Sequence, residues 1–135
     1  MKKKICLVIA NYYPKISNDL INGARKTLKF NGYKDIKKVY APGVFEIPII
    51  ISKLIKKYDA FIALGCVIKG QTPHFSFISD SAINGIMQLS IQYKKPIGNG
   101  ILTCLNKKQA LIRSNPFKKN KGGEAAKAII SVLKI

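Results

Sequence analysis

The sequence predicts an α/β fold in which a four-stranded parallel sheet lies between two layers of helices. Three observations carry that expectation. Apolar runs of strand length alternate with segments of helical periodicity, in the order βαβαβαβα. The run Ile5–Ala10 is apolar throughout, as a parallel strand buried on both faces is. The connections are short, which favours right-handed crossovers, and no repeat, linker or low-complexity tract breaks the pattern. Residues 1–135 therefore read as one domain.

The elements follow in order. After Ile5–Ala10, Ser17 can cap a helix and Asp19 favours its first turn. Leu20, Ala24 and Leu28 share one face, and Asn31-Gly32 stops it. Ile36–Tyr40 makes a second strand; Lys37 and Lys38 inside it place it at an edge. A second helix runs from about Phe45 to Lys57, with Pro48 tolerated in its first turn. Tyr58-Asp59 turns into a third strand, Ala60–Gly65. The third helix covers His74 to Gln92, and Ile97–Thr103 is the fourth strand. Two helices close the chain, near Lys107–Arg113 and Gly123–Leu133. Ala125, Ala126, Ile129, Ile130 and Leu133 form one stripe on the last.

Charge is the unusual feature. Lys and Arg number 24 against six Asp and Glu, a net charge of +18. Of those cations 22 are Lys, matched by 22 Ile, the pairing that AT-rich codon usage produces. The lysines scatter without an aromatic-basic motif, so the charge does not argue for a nucleic-acid partner. With Arg so scarce, Arg25 and Arg113 are informative, because Lys cannot reproduce a forked contact with phosphate. The three cysteines, Cys6, Cys66 and Cys104, cannot all pair and have no CxxC spacing or clustered His. Free thiols, a reducing compartment and no metal site are expected. No segment approaches the roughly 18 apolar residues of a membrane span, and the amino-terminal run is too short for a signal peptide. A soluble, cytoplasmic protein with no membrane partner follows.

Ligands of such sheets bind beyond the carboxyl ends of the strands. That directs attention to Asn11–Lys15, Ala41–Glu46, Cys66–His74 and Thr103–Asn106. In Lys69-Gly70-Gln71-Thr72-Pro73-His74, Gly70 allows a tight turn, Thr72 is a good cap and Pro73 suits the first helical position. Backbone N–H groups around Gln71 and Thr72 would then face an anion. His74, the only histidine, would stand in the first turn, where the helix dipole favours a neutral ring able to take up a proton. A surface His without a role is the competing reading. Glu46 is placed either to complement a helix dipole or to accept from ligand hydroxyls, and Phe45 is either core or ligand wall. Tyr12 and Tyr13 are equal candidates to stack on a flat ring. Arg113 is either a helix-end cation or a phosphate fork. No GxGxxG, Walker loop or Ser/His/Asp arrangement is present.

Four segments in order, Ala41–Pro48 (APGVFEIP), Leu64–Phe75 (LGCVIKGQTPHF), Gly100–Ser114 (GILTCLNKKQALIRS) and Asn120–Ala126 (NKGGEAA), resemble the 6,7-dimethyl-8-ribityllumazine synthase family. The resemblance runs from Lys4 to Leu133. It implies a flavodoxin-like three-layer sandwich and no metal or organic cofactor. The implied reaction condenses 5-amino-6-(ribitylamino)uracil with 3,4-dihydroxy-2-butanone 4-phosphate, the penultimate step of riboflavin synthesis. It also implies residue roles. Tyr12 matches the aromatic that stacks on the pyrimidine, where Phe is usual. Val44, Phe45 and Glu46 match the stretch holding the ring edge and ribityl chain, and the backbone of Cys66, Val67 and Ile68 reads the pyrimidine. Gln71 and Thr72 match the phosphate loop, His74 the acid/base, and Arg113 and Lys121 the phosphate-binding cations. Asn99 stands where many members place Phe over the pyrimidine. Tyr13, Lys69 and Pro73 also depart from frequent residues without removing a reacting group. A flavin or nucleotide carrier of the same architecture would instead bind without turnover.

The resemblance further implies a pentamer with sites between subunits, and riboflavin synthase as the downstream partner. Only Met1-Lys2-Lys3 precedes the first strand, and Asn115-Pro116-Phe117-Lys118-Lys119 is a stiff, cationic bend. A free ring of five, or at most paired rings, is expected rather than a closed shell.

Overall fold

The computed structural model describes residues 2–71 and 73–135. The chain runs β1 (Lys4–Ala10), α1 (Pro14–Phe30), β2 (Asp35–Ala41), a 3-10 turn (Val44–Glu46), α2 (Ile47–Leu54), β3 (Ala60–Ile68), α3 (Phe75–Tyr93), β4 (Ile97–Cys104), α4 (Lys107–Ser114) and α5 (Lys121–Leu133). All strand pairs are parallel and the sheet order is β2-β1-β3-β4. The architecture is the flavodoxin-like three-layer sandwich, with an order that reverses direction between β1 and β3.

Each face of the sheet carries its own core. Ile5, Leu7 and Ile9 of β1 and Ile62 and Leu64 of β3 pack under α1, α4 and α5. Cys6, Val8, Phe61 and Ala63 pack on the other face, against Ile47 and Ile51 of α2 and Ala82 and Ile86 of α3. Successive strand side chains point to opposite faces, so a strand covered on both sides must be apolar at every position. All nine residues of β3 are buried for that reason. The lysine-bearing β2 is only partly covered, as an edge strand is.

Several boundaries differ from the sequence expectation. Helix α1 starts at Pro14 with Tyr13 as its cap, because a proline's fixed φ suits the first helical position. Ser17 is therefore not the cap. It is buried one turn inside, where its hydroxyl donates to Ala10 O at 3.3 Å. Asp19 sits in the second turn and pairs with Lys15 at 3.2 Å. Strand β3 continues past Gly65 to Ile68, because β4 remains beside it as far as Cys104. Helix α5 starts at Lys121, where Asn120 Oδ1 accepts the Gly123 N–H at 3.2 Å.

Helix α3 covers the sheet with few side chains. Only Ser79, Ala82 and Ile86 are buried, while Phe77, Met87 and Ile91 are 75%, 58% and 69% exposed. Residues 70–93 contain no Lys or Arg, in a chain with 24 of them. No helix among the described residues is long and apolar enough to cross a membrane.

Candidate functional site

Strand order creates the first half of the site. The chain leaves β1 toward β2 and returns on the other side as β3, so the loops beyond Ala10 and Ile68 diverge and leave a crevice. A cavity of about 310 Å³ opens there, and Tyr12, Val44, Cys66, Val67, Ile68 and Gln71 all line it. Val44 reaches it because Gly65 has no side chain. A Cβ on Gly65 would stand 2.9 Å from Val44 Cγ2 and 3.2 Å from Ala10 Cβ. The two tyrosines, equal by sequence, both line the cavity and differ in exposure. Tyr13 packs against the α1 core layer, and burial, followed by the neighbouring Cys66 and Tyr12, pushes its hydroxyl above the usual tyrosine range. Tyr12 is 71% exposed, edge-on to Tyr13 at 4.8 Å, and its ring face is open to a planar ligand.

Glu46 and Phe45 do not line this cavity. The Glu46 carboxylate lies over Gly43, 3.1 Å from where a Cβ would be, which sets it at the rim. Phe45 is exposed and is neither core nor wall within one chain.

The loop after β3 departs from expectation. Gly70 has φ +87°, and the Gln71 N–H donates back to Ile68 O at 3.1 Å. That N–H closes a turn and is not available to an anion, in contrast to the sequence reading. Thr72 lies outside the described residues. Helix α3 begins at Phe75 with His74 at the cap, so Pro73 precedes the helix and His74 is not in its first turn. The His74 carbonyl accepts the Ile78 N–H at 2.9 Å. Its exposed ring lies 6.5 Å from that of Phe77. Pro73 and Ile78 both line the cavity, which puts His74 at its mouth.

The remaining expected residues gather elsewhere. A concavity of about 480 Å³ beside the edge strand β4 is lined by Asn99, Thr103, Arg113 and Lys121. Arg113 Nη1 donates to Thr103 O at 3.3 Å and to Cys104 Sγ at 3.6 Å, so the guanidinium is held against the end of β4. Lys121 pairs with Glu124 at 3.3 Å. Asn99 Oδ1 accepts the Ile101 N–H at 3.0 Å, which turns its amide back along its own strand.

Cys66 and Cys104 sit on diagonal positions of β3 and β4; Cys66 lines the crevice, and Cys104 Sγ accepts from Arg113. Burial, then the neighbouring Cys104, pushes the Cys66 thiol up to about 12, so it stays protonated. All three cysteines are free.

The fold thus places most of the expected residues in two groups, and no described residue lines both concavities. Sequence reasoning missed Ile78 in the first and Lys119 in the second. Ile78 is one apolar residue of a helix, and Lys119 one lysine among 22, so neither carried a signal of its own.

A sequence model of the family described as 6,7-dimethyl-8-ribityllumazine synthase matches residues 2–135. Proteins named 6,7-dimethyl-8-ribityllumazine synthase are similar over almost the whole chain. That of Zymomonas mobilis subsp. mobilis is 40% identical over 134 residues, covering 98% of this chain and 95% of its own. That of Novosphingobium aromaticivorans is 40% identical over 132 residues, covering 96% and 94%. That of Buchnera aphidicola subsp. Acyrthosiphon pisum is 41% identical over 136 residues, covering 97% and 85%. The strand order, the crevice it opens and these full-length matches agree: the chain belongs to the 6,7-dimethyl-8-ribityllumazine synthase family.

Proposed function

We propose that this protein is a transferase that condenses 5-amino-6-(D-ribitylamino)uracil with 3,4-dihydroxy-2-butanone 4-phosphate. The products are 6,7-dimethyl-8-ribityllumazine, phosphate and water, and riboflavin synthase acts downstream on the lumazine. The observation that carries the reading is the contrast between the two recesses, with Gln71 the phosphate-matching residue on the apolar side and Asn99 the pyrimidine-matching residue on the cationic side. An apolar crevice with an open tyrosine ring suits a flat pyrimidine, and a cationic recess holding a fixed Arg suits a phosphate ester.

Tyr12 stacks on the pyrimidine, while Val44, Phe45 and Glu46 hold its edge and ribityl chain. The backbone of Cys66, Val67 and Ile68 supplies hydrogen bonds at the strand end. The side chain of Gln71, together with Thr72, Arg113 and Lys121, holds the phosphate, and Asn99 faces the pyrimidine. The 5-amino group attacks the ketone and water leaves, giving an imine. A proton then comes off the adjacent carbon as phosphate is expelled, the enol that remains takes up a proton at its terminal carbon to become a ketone, and the ribityl-bearing nitrogen closes on that new carbonyl with loss of a second water. His74, at the crevice mouth, takes up and returns these protons. Much of the remaining acceleration comes from holding two substrates together.

One chain separates the two recesses, so a complete site takes the crevice of one subunit and the cationic recess of its neighbour. A ring of five whole-chain domains arranged head to tail satisfies this, because a heterologous contact closes by rotation. The lysine-free, apolar side of α3 supports association there, since most of the surface of a +18 chain repels its own copy. Three buried free thiols support a reducing, cytoplasmic location.

The test is to mix both substrates with the purified protein and follow the lumazine by its fluorescence. Product at a rate proportional to enzyme supports the reading, and ligand binding without product returns the protein to the carrier class. Light scattering near physiological salt should give five chain masses, and a particle near a megadalton would refute the free ring.

A further inference from the structure

Three of the residues lining the recess beside β4 are cations, and the third, Lys119, has no role in the reading above. We propose that Lys119 is a phosphate-binding residue of this enzyme, completing a three-cation pocket with Arg113 and Lys121. The inference rests on the proposed reaction and adds to it a specificity-determining residue.

Lys119 is well placed for this role. The three cations come from three pieces of chain: Arg113 from the end of α4, Lys119 from the connection and Lys121 from the start of α5. The connection is tied down on every side. Asn115 O accepts the N–H groups of both Lys118 and Asn120 at 3.0 Å, and Asn115 Oδ1 accepts the Phe117 N–H at 2.8 Å. The Lys119 N–H itself donates to Ile112 O at 3.2 Å. Lys26 Nζ lies 5.2 Å above the Phe117 ring and fastens the turn to α1. The backbone of Lys119 is thus already ordered, and only its side chain loses freedom when an anion arrives.

The charge of the recess also requires it. No acidic residue lines the recess. Glu124 pairs with Lys121 at 3.3 Å and offsets that charge. Arg113 and Lys119 then remain uncompensated, with Arg113 held by a carbonyl and a thiol rather than a carboxylate. Two uncompensated cations match a phosphate monoester, which carries about −1.5 to −2 near neutral pH. Without Lys119 the recess would be one charge short of its ligand. Lys118, next in sequence and equally charged, does not line the recess.

The experiment compares the wild type, Lys119→Met, Lys119→Arg and Lys118→Met, using inorganic phosphate titration followed by steady-state kinetics. Lys119→Met should weaken phosphate binding and raise KM for the butanone phosphate by roughly three- to tenfold, with kcat and the pyrimidine KM unchanged. Lys119→Arg should stay within about twofold of wild type, and Lys118→Met should match it, since bulk charge falls off through ionic screening. Wild-type phosphate affinity in Lys119→Met would overturn the inference. So would an equal loss in Lys118→Met, because the effect would then be general charge. Turnover reports separately on the reaction. Wild type that makes no lumazine but loses phosphate binding on Lys119→Met would remove the reaction and leave the anion site standing.

Discussion

The two recesses of this chain are built by opposite means. The crevice between β1 and β3 is a product of topology: strand order opens it, a missing side chain at Gly65 admits Val44, and its walls are the ends of buried strands. The recess beside β4 is a product of side chains, with long cations gathered around an edge strand and a tied turn. In the proposed reaction the first would position a rigid ring by shape and the second would capture a mobile charge. Backbone-built sites tolerate substitution in their walls, whereas side-chain-built sites depend on the identity of each group.

The largest effect should come from His74, to which the proposed mechanism assigns the proton transfers. His74→Ala should lower turnover by roughly 10²–10⁴ while leaving pyrimidine affinity near normal. Near-normal kcat in that variant would take His74 out of the mechanism.

The next experiment asks whether the recesses belong to different subunits. Equal mixing of His74→Ala and Arg113→Ala chains, each almost inactive, should restore about a quarter of wild-type turnover, the share of head-to-tail interfaces with both intact halves. No recovery after verified subunit exchange would place both halves of the site in one chain.

A smaller effect should distinguish fork from point charge. Arg113→Lys should raise KM for the butanone phosphate by roughly tenfold, because the planar donor pair is lost although the charge remains. An unchanged KM would make Arg113 a helix-end cation only.

The smallest effect should be at the open ring. Tyr12→Ala should weaken pyrimidine binding by about 0.5–1.5 kcal/mol, and Tyr12→Phe should retain it, since stacking needs the ring and not the hydroxyl. A titration in which Tyr12→Phe lost as much as Tyr12→Ala would assign the contact to the hydroxyl.

The contrast also explains what could be read in advance. Ile5–Ala10 and the edge character of β2 were legible because burial on two faces, or one, leaves a direct mark on residue type. The start of α1 was not, because Ser17 looks like a cap and the preceding proline decides instead. The extension of β3 to Ile68 depends on its partner β4, far along the chain, and local pattern carries no trace of it. The candidate residues could be named in sequence through the motifs that carry them. Their division into two groups was not legible, since it follows from strand order and from Arg113 lying on the helix after an edge strand. Gln71 was misjudged because a backbone N–H that looks free in sequence closes a turn in space.

The absence of Lys and Arg from residues 70–93 reaches beyond assembly. Trypsin cuts only after those residues, so it releases the stretch from Gly70 to Lys94 as one long, apolar fragment carrying the turn, His74 and all of α3. Amine-reactive labels and crosslinkers find no lysine side chain there. Peptide mapping by those common routes will therefore cover the well-charged remainder of the molecule and return the chemically important helix as a single unresolved block. Pepsin, which cuts beside apolar residues, is the protease suited to following hydrogen exchange across it.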